Sequence, residues 1–151
     1  MFISSGGGHL QELLQLEPMF KNYDVCLVSE KTKTTEFLKD QYEKVSYLAY
    51  GTKAHLFSYI FIFSFNIVKS FFLFLKYKPD IIISTGTHTA VPMCKIAHLF
   101  KKKIIWIETF ANAYTPTRAG RMVYDIADLF LVQWESMLEV YPKAKYWGNL
   151  F

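Results

Sequence analysis

The run Ser5-Gly6-Gly7-Gly8-His9 feeds directly into Leu10-Gln11-Glu12-Leu13-Leu14, so that three bare backbone positions and an imidazole stand at the start of an apolar-periodic segment. Without side chains in the way, consecutive glycines let backbone N–H groups come close to a bound group. A helix that opens near His9 aims the positive end of its dipole at the same spot. That arrangement suits a phosphate. His9 stands at the rim, where an imidazole can exchange a proton near neutral pH. A glycine run alone fits equally well a tight turn in an α/β domain with a capping histidine, so its surroundings must decide.

Two further loops carry related chemistry. Ser84-Thr85-Gly86-Thr87-His88-Thr89 sets hydroxyls, a glycine and an imidazole just before Ala90-Val91-Pro92. Glu108-Thr109-Phe110-Ala111-Asn112 is followed by Pro116-Thr117-Arg118-Ala119-Gly120-Arg121. Each has a plain structural use: Thr89 as an N-cap, Glu108 as a brace for a neighbouring loop, Arg118 and Arg121 as solvated helix residues. Polar and cationic loops that converge on a glycine cradle describe a site for a diphosphate or a sugar, provided the fold brings them together.

The elements that would do so alternate along the chain. Strands are expected at Phe2–Ser4, Val25–Val28, Val45–Tyr50, Asp80–Ser84, Lys103–Ile107 and Asp128–Val132, with a last one near Lys145–Trp147. Helices are expected at His9–Lys21, Thr34–Tyr42, Leu56–Tyr77, Ala90–Phe100, Thr117–Ala127 and Glu135–Tyr141. Ile81-Ile82-Ile83 and Ile104-Ile105-Trp106-Ile107 read as strands buried on both faces, as parallel sheets require. The pattern predicts an α/β fold, a Rossmann-like doubly wound parallel sheet. In such sheets ligands gather beyond the carboxyl ends of the strands, where all three loops fall. No repeat, low-complexity tract or long linker divides the chain, so residues 1–151 are expected to form a single domain.

A chain of 151 residues can bury a real core but is short for an enzyme that must hold two large substrates. Cys26 and Cys94 lie in apolar segments with no second ligand at metal spacing, which predicts buried free thiols and neither zinc nor a disulfide. The formal charge of +4 rests on lysines such as Lys76, Lys78 and Lys101-Lys102-Lys103, a surplus that suits anionic lipid or phosphate. Nucleic acid is not an expected partner, because the aromatics cluster in one apolar run instead of alternating with basic residues.

That run, Leu56 to Leu75, holds 15 apolar or aromatic residues in 20 and seven of the 14 phenylalanines, enough to cross a bilayer by length. On a helical wheel Ser58, Asn66, Lys69 and Ser70 share one arc, continued by His55 and Lys76; Ile62 and Leu73 intrude on it, and the rest is greasy. A helix covering one side of a sheet needs only an apolar stripe. The wider greasy face predicts a helix at about 56–76 lying in a membrane interface, with Lys69, Lys76 and Lys78 toward headgroups and Phe61, Phe65 and Phe72 in the lipid. A single full crossing would leave the glycine loop and the strand at Ile81 on opposite sides, where they could not share a sheet.

Taken in order, Ser5-Gly6-Gly7-Gly8-His9 with Glu12, Asp80-Ile81-Ile82-Ile83-Ser84-Thr85-Gly86, Ile107-Glu108 and Ala127-Asp128-Leu129-Phe130-Leu131-Val132-Gln133-Trp134-Glu135 resemble the Alg14-like polysaccharide biosynthesis proteins of bacterial capsule and exopolysaccharide clusters. The resemblance spans essentially the whole chain. Tyr141-Pro142-Lys143-Ala144 and Gly148-Asn149-Leu150-Phe151 are similar to that family's natural ending, so the chain is expected to be near complete. More distantly, the first two glycine loops and Glu108 resemble the acceptor-binding half of MurG-type GT-B glycosyltransferases.

The resemblance implies half of an enzyme: the N-terminal, acceptor-side half of a split GT-B glycosyltransferase, inactive without its partner. An Alg13-like catalytic subunit would supply most of the UDP-sugar site. The pair would move a sugar, galactosyl or N-acetylglucosaminyl, onto a polyprenyl-diphosphate-linked saccharide at the cytoplasmic face of the plasma membrane, as a peripheral or monotopic assembly. On this reading Ser5, Gly6, Gly7 and Gly8, with Thr85, Gly86, Thr87 and Asn112, bind the acceptor and its diphosphate. His9 takes the proton of the attacking hydroxyl, and Glu108 is the competing base or an acceptor contact. His88 stands where relatives more often have small residues and could share the role given to His9. No metal or other cofactor is expected. The alternatives are a UDP-GlcNAc transferase subunit of lipid-linked oligosaccharide synthesis and a membrane-recruiting scaffold without a ligand site.

Overall fold

Apolar strands joined by helical crossovers pair in parallel, because each crossover carries the chain back to the edge from which it started. The computed structural model, which describes residues 1–51 and 56–150, contains seven strands in one parallel sheet. They are β1 (Phe2–Ser4), β2 (Leu27–Lys31), β3 (Val45–Ala49), β4 (Ile81–Gly86), β5 (Lys103–Ile107), β6 (Leu129–Val132) and β7 (Lys145–Tyr146), in the order β3-β2-β1-β4-β5-β6-β7. The helices are α1 (Gly8–Leu14), α2 (Leu38–Gln41), α3 (Leu56–Tyr77), α4 (Val91–Leu99) and α5 (Arg118–Val123). Phe2, Leu10, Leu13, Leu27, Leu38 and Tyr47 form one core, which includes α1 and α2. Ile3, Val28, Leu73, Phe74, Ile82, Met93, Ile104, Trp106 and Val123 belong to the other, which includes α3, α4 and α5. The strand order reverses between β1 and β4, so the loops that follow these two neighbours diverge and leave a crevice between them.

The departures from sequence expectation have local causes. The helix expected at His9–Lys21 ends at Leu14 and resumes as a 3₁₀ turn over Glu17–Asn22, because Pro18 has no N–H to close another α-turn. The strand expected at Val25–Val28 instead runs Leu27–Lys31 and carries Ser29 and Glu30 into buried positions beside Tyr47 and Leu48. Apolar patterning cannot find a strand that ends in buried polar residues. The later helices also shorten: Thr34–Tyr42 to α2, Thr117–Ala127 to α5 plus a 3₁₀ turn at Tyr124–Ile126, and Glu135–Tyr141 to a 3₁₀ turn at Glu135–Leu138. Both cysteines are buried free thiols, and burial pushes the Cys94 thiol up to about 12.

Helix α3 has the expected bounds, but two members of its polar arc turn inward. Asn66 is buried against β3, where its Nδ2 donates to Ala49 O and its Oδ1 accepts from Ala49 N, both at 2.8 Å. Ser70 is fully buried. With Leu73 and Phe74 they form the inner face, while Ile60, Phe61, Phe65, Val68 and Phe72 remain exposed, Phe61 by 75%. Lys69 lies over the Phe65 ring and Lys76, exposed, over the Tyr77 ring. His55, Phe151 and the Ser58 side chain fall outside the described residues.

Candidate functional site

The crevice between β1 and β4 is built by reciprocal contacts across the two loops. Ser5 N donates to Gly86 O at 2.9 Å, and Ser5 Oγ accepts from Thr87 N at 3.3 Å. Thr85 Oγ1 donates to His9 O at 2.6 Å, and the Thr85 carbonyl lies 2.9 Å from His9 Nδ1. A carbonyl only accepts, so Nδ1 carries the proton and the lone pair of neutral His9 sits on Nε2. Among the described residues Nε2 has no protein partner. Gly86 has φ +102, and a Cβ there would meet His9 Nδ1 at 3.4 Å, so glycine lets the imidazole lie against the second loop.

The glycine cradle is open on one side and tied down on the other. Gly7, at φ +71, is the N-cap of α1, and its carbonyl accepts from Leu10 N and Gln11 N. The amides of Gly7, Gly8 and His9 have no acceptor among the described residues, and both glycines are exposed. Gly6 differs, since its amide donates to Glu30 Oε2 at 3.2 Å. Glu30 is 3% exposed; its Oε1 also accepts from the Thr89 hydroxyl and lies 4.0 Å from His88 Nε2. His88 Nδ1 in turn pairs with Thr87 Oγ1 at 2.9 Å. Thr89 therefore binds a carboxylate instead of capping α4, whose N-cap is Ala90.

The third loop reaches the first through Glu12, whose Oε1 accepts from Thr109 Oγ1 at 2.7 Å and Phe110 N at 3.1 Å. Asn112 is half-buried, its backbone amide donates to Thr109 O at 3.4 Å, and its side-chain amide has no partner among the described residues. Glu108 is 1% exposed and both its oxygens are engaged, one by Trp106 Nε1 (2.8 Å) and the other by Thr117 N (2.7 Å). Thr117 caps α5 by accepting from Gly120 N at 2.8 Å, and Gly120 packs directly on Glu108. Burial, and then the Glu108 charge, raise the pKa of the adjacent Tyr141 hydroxyl. Arg118 and Arg121 are exposed.

Ser5, Gly6, Gly7, Gly8, His9, Thr85, Gly86 and Thr87 thus share one crevice, with Asn112 on the neighbouring loop and Glu108 in the wall beneath it. Glu30 escaped sequence reasoning because the apolar run that marks its strand stops at Val28, three residues short of the strand's end. Glu12 was legible, since a residue three positions after His9 on a helix shares its face. A cavity of about 450 Å³ lies elsewhere, lined by Met1, Phe2, Cys26, Tyr77 and Ile81 among others, at the amino ends of the strands. Its lining is largely apolar, and the strand-end rule places ligands on the opposite edge.

The family model for oligosaccharide biosynthesis protein Alg14-like matches residues 1–150. The chain belongs to the Alg14 family. It is 26% identical to the Mus musculus UDP-N-acetylglucosamine transferase subunit ALG14 over 99% of this chain and 82% of that protein. With the Candida albicans subunit of the same name it is 37% identical, over 50% of this chain and 37% of that protein. Among solved structures, Acinetobacter baumannii MurG superposes with a TM-score of 0.75 at 15% identity, covering 98% of this chain and 45% of MurG. The UDP-GlcNAc 2-epimerase of Methanocaldococcus jannaschii gives a TM-score of 0.69 at 15% identity with the same coverage. These likenesses establish a GT-B-type Rossmann-like fold, and the chain spans less than half the length of either enzyme. The relatives' names favour the UDP-GlcNAc transferase alternative over the capsule setting expected from sequence.

Proposed function

We propose that this chain is the acceptor-side subunit of a UDP-GlcNAc transferase whose acceptor is a lipid-diphosphate-linked saccharide. The observation that carries the reading is the β1–β4 crevice, where an imidazole with Nδ1 fixed on the Thr85 carbonyl keeps Nε2 without a protein partner among the described residues, beside three open amides. Nε2 takes the proton of the acceptor hydroxyl as its oxygen bonds to the anomeric carbon of GlcNAc. The bond from that carbon to UDP breaks and the electron pair leaves with UDP. The open amides of Gly7, Gly8 and His9 hold the acceptor's diphosphate, with Thr87 and Asn112 on the facing side. Glu108 braces α5, because its oxygens accept from Trp106 Nε1 and Thr117 N and the side chain is buried, out of reach of an acceptor hydroxyl. UDP-GlcNAc is held mainly by an Alg13-like partner.

The test is reconstitution. Purified alone, the chain should transfer no sugar, and the partner should restore transfer from UDP-GlcNAc. Robust turnover by the isolated chain would sink the split-enzyme reading. A pair that assembles on membranes yet transfers nothing would favour the scaffold alternative.

We also propose that α3 rests its exposed face on the cytoplasmic membrane surface. The helix is long and apolar enough to cross a bilayer, and only 22% of its most apolar window is buried in the protein. Phe61, Phe65 and Phe72 on that outer face each contribute roughly 1.5–3 kcal/mol on burial, against about 1 kcal/mol for each interfacial lysine. Detergent should therefore release the protein more readily than salt. Replacing the three phenylalanines with serine should move it to the soluble fraction in flotation assays, and a folded triple variant that stays bound would place the anchor elsewhere.

A further inference from the structure

Glu12 lies one helical turn beyond His9 on the same face of α1. Its Oε1 is committed to the third loop through Thr109 and Phe110. Its Oε2 is buried, has no hydrogen-bond donor among the described residues, and faces His9 Nδ1 at 3.9 Å. Burying a carboxylate oxygen without a donor is costly. A positive charge on the imidazole formed during the reaction offsets that cost by direct attraction across the 3.9 Å gap.

We propose that Glu12 is a positioning residue for His9: it fixes the imidazole within the three-loop junction and stabilises the imidazolium formed when Nε2 takes the acceptor proton. This role rests on the assignment of His9 as the base. The ring's hydrogen bond is to the Thr85 carbonyl at Nδ1; the nearby loops also carry His88, paired with Thr87, and Glu30 of β2, engaged by Gly6 and Thr89. Among the described residues Glu12 is the one carboxylate within 4.0 Å of the His9 ring nitrogens.

Two substitutions separate charge from scaffolding. Glu12→Gln keeps an oxygen that accepts from Thr109 and Phe110 and removes the charge. Thr109→Val removes a cross-loop hydrogen bond and keeps the charge. Ring ¹⁵N NMR on the isolated chain, at a pH where wild-type His9 is half protonated, reads the ratio of imidazolium to imidazole. The ratio should fall about tenfold in Glu12→Gln and stay near wild type in Thr109→Val. In the assembled pair Glu12→Gln should lower kcat about tenfold with KM little changed, and should add nothing to His9→Ala. If Glu12→Gln does not fold, Glu12→Asp, which retracts the charge by one methylene, should lower the ratio by a smaller step. An unchanged ratio in a folded variant overturns the proposal, as does a loss that multiplies with that of His9→Ala. A wild-type pair that transfers no sugar overturns the site assignment instead, and the NMR ratio still decides whether Glu12 governs His9.

Discussion

His9→Ala in the assembled pair should lower turnover about 10²- to 10⁴-fold, while pair formation and UDP-GlcNAc binding stay nearly unchanged. Nδ1 is anchored on Thr85 and Nε2 is open, so removing the ring takes away the proton acceptor and leaves the open amides in place. The acidic limb of the pH–rate profile should vanish with it. Glu108→Gln is the necessary companion. Both partners of the Glu108 carboxylate are donors, Trp106 Nε1 and Thr117 N, so the NH₂ of glutamine must face one of them. That leaves a buried donor unmet, at about 1–3 kcal/mol of stability. A modest loss of activity alongside that destabilisation fits a brace. A severe loss confined to Glu108→Gln, with His9→Ala near normal, would make Glu108 the base.

Gly120→Ala should be the most damaging single methyl in the third loop. A Cβ there would stand 2.3 Å from Glu108 Oε2 and 2.7 Å from the Tyr141 hydroxyl, both well inside contact distance. Neither neighbour has room to retreat, since Glu108 is 1% exposed and Tyr141 2% exposed. Overpacking of this kind costs up to about 3 kcal/mol, which for a chain of this size lowers Tm by about 10 °C. Differential scanning calorimetry gives the answer directly. A variant that melts with the wild type would mean that the loop carrying α5 moves aside freely, and that the brace assigned to Glu108 is slack.

The strands and the long helix were legible because their signals are local. Ile81-Ile82-Ile83 and Ile104–Ile107 are continuous apolar runs, and the bounds of α3 follow from its own composition. The three loops could be placed on one sheet edge for the same reason, since strand ends locate them once the sheet is parallel. What could not be read depends on partners far along the chain. Glu30 is buried by groups supplied from Gly6 and Thr89, and Asn66 turns inward because β3 offers backbone atoms where the wheel suggested headgroups. The chemistry of Glu108 was equally hidden. Nothing in Ile107-Glu108 says that Trp106 and Thr117 will enclose the carboxylate. The biosynthetic setting has no local signal either, because an open glycine loop looks the same whichever acceptor it faces.

Asn66 offers Ala49 both a donor and an acceptor, as a residue of an adjoining strand would. β3, one of the two outer strands of the sheet, thereby meets a surrogate neighbour at its last residue, borrowed from a helix. An open β-edge invites a second copy of the chain to add itself and propagate. At Ala49 that growth point is closed from within. The helix that leaves its far side bare thus also covers the end of one sheet edge, where Asn66 occupies the backbone groups that an added strand would need.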